Sequence, residues 1–425
     1  PVDAALELLN DPDPASRALA AGSFAHTKYT PVTRRLIGLL DDREVVRKAA
    51  MEALAAFPDG ILPELENALF RLSRRGQAGI LEVMRLSGLK HFEEGPYVTR
   101  LLFDTCHNLM VVDRLGNLPD SVGRSLLARN LEETNDLLFK LIFQALWVKY
   151  ADMRLIYQSL KSREGPVAVE LLENSLDGAL SQCLVALIDE MPVPEKLDRV
   201  RRVLPLTRDM TIDRSVAYLA LRNDPATRML TAFYLSEAEV PTFPIAIEAL
   251  LEDPDELVRE TARYAVRRKK GEAPPMPEIL DTILFLKTCL VFDGLGTREL
   301  KAVASIAVRQ SYQAEEVIVE QGSEDDSLRL IVNGRVNVVR KTPDGEVKVL
   351  KTMGPTAFFG LVRLFSGGLS DETYIAAEPT SILVVNRFHF EEIMRLYPQI
   401  GINLCTFFAL KLESFQVKLP DNVNI

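Results

Sequence analysis

The stretch VEQGSEDDSLRLIVNGRVNVV, Val319 to Val339, decides how the second half of the chain folds. LRLIV and RVNVV are rich in β-branched residues, and Asn333-Gly334 between them is a dipeptide favoured in tight hairpin turns. Polar and apolar residues alternate in RVNVV and again in EVKVL, Glu346 to Leu350. That is the period of a strand with one buried face. Thr342-Pro343-Asp344-Gly345 supplies the turn between these two strands. The expectation is an antiparallel meander. Asp325 and Asp326, just ahead of it, read as turn residues rather than a cation site.

Helical patterns enclose the strands. EILDTILFLKTCLVFDGL (Glu278 to Leu295) and TRELKAVASIAV (Thr297 to Val308) precede them, and RFHFEEIMRLYPQI and NLCTFFALKLESF follow. With these quoted residues in place, Pro277 to Phe415 resembles the cyclic nucleotide-binding domain of the catabolite-activator type. The resemblance implies an antiparallel β-roll around a ligand, with helices at either end. The sequence beyond the last helix is too short for a DNA-reading helix-turn-helix, and no kinase or cyclase domain is expected.

The ligand cassette of that family would fall in FFGLVRLFSGGLSDETYIAAEP, Phe358 to Pro379. Family members that bind cyclic nucleotide carry Phe-Gly-Glu, a short helix, and Arg-x-Ala before the next strand. The resemblance gives the glycine and helix amides to the phosphate, the Glu to the ribose and the Arg to the phosphate charge. Phe359 and Gly360 match, but Leu361 stands at the Glu position and Arg363 where a small residue is usual. The Arg position falls on Asp371, followed by Glu372; a slip of one or two places leaves Ser370, Glu372 or Thr373 there, none of them cationic.

Magnitudes separate the two readings of the cassette. An Arg-to-Asp exchange about 5 Å from a phosphate removes roughly 3 kcal/mol of attraction at an effective dielectric near 20 and adds similar repulsion. With half of that allowed for relaxation, ~3 kcal/mol remains, about a hundredfold in affinity. The missing ribose contact adds about 1 kcal/mol. The expectation is therefore no cofactor: cyclic AMP and cyclic GMP are not clasped in the usual way. A receptor in which Arg363 turns inward to meet cyclic nucleotide or another anion stays open as an alternative.

Self-similarity marks the first half. LLNDPDPASRALA (Leu8 to Ala20) recurs as LLEDPDELVRETA (Leu250 to Ala262), with a shorter copy from Leu39 and a looser one at ALRNDPATRMLTA (Ala220 to Ala232). Leucines end one helix, Asp caps the next, and Pro is accepted at its start because its missing N–H has no partner there. Such units bury their apolar faces by stacking. These copies resemble HEAT repeats. Between them, ETNDLLFKLIFQALWVKYADMRLIYQSL and VAVELLENSLDGALSQCLVALI keep a helical period, with Asn135 or Asp136 as the expected cap of the first. The run from Leu137 to Asp177 also resembles the helical segment attached to bacterial carriers of the ATP/ADP translocase-like family. Trp147 and its aromatic neighbours read as core.

The fold class expected is multidomain α + β: an N-terminal α-solenoid, HEAT-like, followed by an antiparallel β-roll with flanking helices. The boundaries are 1–94 for HEAT-like repeats, 95–267 for the continuing helical array, 268–278 for a Pro-rich linker, 279–417 for the cyclic nucleotide-binding-like domain and 418–425 for a tail.

Composition limits the function. A net charge of -10 argues against a nucleic-acid partner, and VRRVLPLTR and YAVRRKK read as solvated helix ends. Cys106, Cys183, Cys289 and Cys405 are scattered without a CxxC pair, which reads as reduced, buried thiols in a cytoplasmic protein. Cys106-His107 reads as core, and no metal site is expected. No P-loop, nucleophile elbow, paired metal-binding His or Gly-rich dinucleotide motif is present, so an enzyme is the least supported class. No run reaches the ~20 apolar residues of a membrane span. The sequence opens at Pro1 without methionine, so the natural chain is expected to extend upstream. The functional expectation is a non-enzymatic regulatory or scaffold module with a protein partner on the solenoid. A second alternative makes it the cytosolic part of a translocase-like carrier, on the inner membrane's cytosolic face.

Overall fold

The computed structural model describes residues 2–416 apart from 28, 58, 90, 161–164, 177, 207–210, 239–243 and 342–345. The chain is mostly helical with a C-terminal antiparallel β domain. It divides into two compact units, Pro1–Tyr218 and Leu219–Ile425.

The first unit contains α1 (Val2–Leu8), α2 (Pro14–Thr27), α3 (Thr33–Gly38), α4 (Glu44–Ala55), α5 (Leu62–Leu69), α6 (Arg74–Leu86), α7 (Glu94–Gly116), α8 (Val122–Lys149), α9 (Met153–Leu160), α10 (Gly165–Ser175), α11 (Gly178–Ile188) and α12 (Val193–Arg201); the unit boundary falls within α13 (Ile212–Ala220). Helix α2 packs on α4, α4 on α6, and α7 on α8. Leu36, Leu54, Ile80, Leu101 and Leu146 are among the residues of one continuous apolar core. Asn135 does not cap a helix. It lies in the middle of α8, which begins behind Ser121, whose side chain accepts from the Arg124 amide. No proline interrupts the span, so the helix runs through, and buried Asn135 accepts from Asn108 Nδ2 at 2.8 Å. Trp147 is partly buried against the core, with Arg85 at 4.6 Å and Arg154 at 5.3 Å from its ring.

The second unit opens with α14 (Pro225–Glu237), α15 (Pro244–Leu251) and α16 (Glu256–Lys269). The Asp caps read from the repeats are in place: Asp224 accepts from the Thr227 amide, and Asp255 from those of Leu257 and Val258. The repeat arginines make long-range ties. Arg17 is bidentate to Asp42 at 2.7 and 2.8 Å and reaches the Asp11 carbonyl at 2.6 Å. In the other unit Arg228 is bidentate to Asp253 at 2.5 and 2.9 Å and reaches the Arg222 carbonyl at 2.6 Å. Each arginine thus ties the loop before its own helix to the Asp of the next copy, 25 residues on.

Helices α17 (Glu278–Leu286) and α18 (Thr297–Ile306) lead into eight strands among the described residues: β1 (Val308–Tyr312), β2 (Val317–Val319), β3 (Ser327–Asn333), β4 (Val336–Lys341), β5 (Val347–Met353), β6 (Phe358–Phe359), β7 (Thr373–Ala376) and β8 (Thr380–Asn386). The short α19 (Leu361–Ser366) sits between β6 and β7, and α20 (Arg387–Leu396) and α21 (Pro398–Gln416) follow β8. The strands form two four-stranded antiparallel sheets, ordered β1-β8-β3-β6 and β2-β7-β4-β5. Val319, Ile331, Val336, Phe359 and Ile382 make an apolar core within the roll.

This topology corrects the meander. β3 and β4 do not pair across Asn333-Gly334; β3 lies beside β8 and β4 beside β7 and β5, in different sheets. A primed turn on Asn333-Gly334 needs positive φ at Asn333, together with Gly334 in type I′ and alone in type II′, and only Gly334 has it. A Cβ on Gly334 would come within 2.6 Å of the Pro379 carbonyl oxygen, so the bend is fitted to the turn before β8. The turn at Thr342–Gly345 lies outside the described residues, although β4 and β5 pair on either side of it.

Candidate functional site

The cassette is built on the crossing from β6 through α19 to β7. Phe359 is the last residue of β6, pairs with Arg329 of β3, and stacks on Tyr374 of β7 at 4.2 Å with the rings 9° from parallel. Gly360 follows with φ +81°, and its position is dictated from inside the fold. A Cβ there would lie 2.1 Å from the Ser327 carbonyl oxygen and 3.4 Å from the Asp325 carboxylate. Only glycine fits. Leu361, at the position where the resemblance implies a ribose-binding Glu, is buried at 5% exposure.

The charged candidates come together in pairs. Arg363 on α19 bonds the Asp371 carboxylate through Nη2, and its Nη1 lies 3.5 Å from the Gly367 carbonyl. Asp371 is 74% exposed and Arg363 30%. Glu372 accepts from Arg340 of β4 at 2.8 Å and from the Tyr374 hydroxyl at 3.0 Å. Burial, reinforced by the neighbouring Glu372, pushes the Tyr374 phenol well above its ordinary range, so it stays a hydrogen-bond donor. Thr373 faces away from this charge: its hydroxyl accepts from the Gln321 amide at 3.0 Å.

Two groups were missed by sequence reasoning. Asp325 does more than shape a turn: its side chain is 2% exposed and bonds Arg329 Nη1 at 2.6 Å. Arg329 in turn reaches the Ser327 carbonyl at 3.1 Å and lies 5.9 Å from the Phe359 ring centroid. The signal was present. Arg329 is in step with Ser327 and Ile331 on a strand whose period places them on one face, and a charge there needs a buried partner.

Backbone bonds complete the loop after α19. Gly322 N donates to the Ser370 carbonyl at 2.8 Å, Ser370 N to that of Ser323 at 2.8 Å, and Asp325 N to that of Gly368 at 3.1 Å. On the other side of α19, Phe365 makes edge contacts with Phe390 of α20 and Phe408 of α21.

Elsewhere, Cys106 is in the core of the first unit, where burial pushes its thiol up to about 12; Cys183 and Cys289 are also buried, but Cys405 is exposed, against the expectation of four buried thiols. His107 Nδ1 lies 2.7 Å from the Phe103 carbonyl, and the ring stacks on Tyr218. Among the described residues no cluster of metal-ligating side chains occurs, and no helix is long and apolar enough to cross a membrane.

Comparison with known proteins bears on the C-terminal domain. The family description "Cyclic nucleotide-binding domain" matches residues 309–397. The Cyclic AMP receptor protein of Thermus thermophilus is 27% identical over 134 residues, covering 32% of this chain and 62% of that protein. A CRP-like cAMP-activated global transcriptional regulator of Mycobacterium tuberculosis is 22% identical over 31% of this chain and 58% of its own length. The chain therefore spans only about 60% of these relatives. Among solved structures, the Thermus thermophilus Catabolite Activator Protein is 26% identical over 30% of this chain and 61% of that one, with a TM-score of 0.28. Matches to a cGMP-dependent protein kinase of Drosophila melanogaster and to fungal lysophospholipases are confined to the same domain, which is regulatory and not catalytic. Residues 309–397 thus form a cyclic nucleotide-binding domain of the CRP-like type at the C-terminal side of the chain.

Proposed function

We propose that this protein is a non-enzymatic regulatory or scaffold module whose β-roll has given up the usual cyclic-nucleotide contacts. The observation that carries the reading is the Arg363–Asp371 ion pair. The residue in the register of the phosphate-binding guanidinium is a carboxylate, and the nearest cassette cation is already committed to it. Buried Leu361 adds a second mismatch, since an aliphatic side chain accepts no ribose hydroxyl. The Gly360 match carries no weight for a ligand, because the Ser327 carbonyl demands a glycine there in any case.

The helical part is proposed to be a HEAT-like solenoid that presents a protein partner with a long surface. Its support is the repeated Arg-to-Asp tie, Arg17 to Asp42 and Arg228 to Asp253, made with the same atoms at the same spacing. A cytoplasmic setting fits the free thiols of Cys106, Cys183 and Cys289 inside the cores. A thermal-shift scan with cyclic AMP and cyclic GMP tests the proposal. A ligand at a hundred times its Kd adds about 2.7 kcal/mol to stability. An unmoved midpoint at millimolar ligand is expected, and a saturable rise overturns the reading.

A further inference from the structure

We propose that the cassette is latched by its own ion pairs, so that the loop after α19 holds one conformation with no ligand present. The inference rests on the reading above that cyclic nucleotide is not the occupant. In a cassette that takes an external anion, the loop supplies the cation, and the ligand bridges loop and helix. Here the polarity is reversed. The loop supplies the carboxylate of Asp371, α19 supplies the guanidinium of Arg363, and the bridge is made within the chain.

The neighbouring acid is treated the same way. Asp371 and Glu372 are adjacent like charges, and each has a separate arginine from a different element, Arg363 of α19 and Arg340 of β4. The three backbone bonds from residues 322–325 to 368–370 fix the other edge of the loop. Beneath Gly360, the buried Asp325–Arg329 pair is also complete without any added ion. With the loop held, α19 keeps Phe365 against Phe390 and Phe408. The terminal helix α21 is then supported constitutively instead of on arrival of a messenger.

An exposed pair alone biases an equilibrium modestly, and typical surface values correspond to about two- to fivefold. The test is amide hydrogen exchange on the full chain, read over residues 367–373 without ligand, for wild type, Asp371→Asn, Arg363→Gln and the charge swap Arg363→Asp with Asp371→Arg. Each single variant is expected to exchange about two- to fivefold faster in this loop, with the global unfolding midpoint unchanged, and the swap to return to the wild-type rate. Single variants exchanging at the wild-type rate, a swap no slower than the singles, or a midpoint drop that accounts for the change overturns the latch. A separate arm adds cyclic AMP to wild type. Slower exchange in that arm contradicts the proposed function, while the ligand-free comparison still judges the latch.

Discussion

Replacing Gly360 by Ala separates a glycine kept for packing from one kept for a ligand. Its φ of +81° costs an L-residue roughly 1–2 kcal/mol. The added Cβ would also meet the Ser327 carbonyl oxygen at 2.1 Å, and a backbone atom cannot rotate away. Overpacking of this kind costs about 1–3 kcal/mol, so the total is about 2–5 kcal/mol. Gly322 is the control in the same roll. Its φ is +85°, but nothing lies within 4 Å of its Cβ position, so Gly322→Ala carries only the conformational term. Because the chain has two units, each is followed by its own reporter. Trp147, the single tryptophan, reports on the first unit, and hydrogen exchange of β3 and β8 reports on the roll. Gly360→Ala is expected to destabilise β3 and β8 clearly more than Gly322→Ala, with the Trp147 transition unmoved. Equal costs for the two variants would refute the steric argument.

Two further predictions concern paired charges outside the cassette. Arg228→Ala or Asp253→Ala leaves one charge of a buried pair alone, at 10% and 4% side-chain exposure, and is expected to cost about 3–5 kcal/mol by chemical denaturation. Arg267→Ala, which breaks the exposed pair with Glu272, is expected to cost at most about 1 kcal/mol, and similar losses at both sites would contradict the weight given to the buried Arg228–Asp253 tie. In acid, burial resists ionisation of Asp42, Asp224 and Asp253, but Arg17, Arg298 and Arg228 with their hydrogen bonds outweigh it and hold all three below the ordinary value of 3.8. The native state therefore binds these protons less tightly than the unfolded chain. Their contribution is fully present well above pH 3.8 and is lost as pH falls below it. Unfolding midpoints measured against pH should drop there, and a rise would contradict the sign.

The elements legible in the sequence were those governed by local chemistry. Asp224 and Asp255 at helix starts, and the alternation in RVNVV, have causes within a few residues; EVKVL does pair as β5, but the buried face expected from its alternation is absent, since Val349 and Leu350 are both exposed. What failed depended on distant groups. Asn333-Gly334 carries the chemistry of a hairpin, yet β8, almost fifty residues later in sequence, takes the place beside β3. Asn135 looked like a cap until α8 was seen to run through it to Ser121. In the cassette, residue types alone gave the mismatches at Leu361 and Asp371. That Arg363 meets Asp371, and that Asp325 is buried on Arg329, needed the fold to close first.

The most direct measurement is isothermal titration calorimetry of the full chain with cyclic AMP and with cyclic GMP. The account predicts no saturable heat at ligand concentrations into the millimolar range. A single-site isotherm in the micromolar range, strengthened by Asp371→Asn, would contradict it.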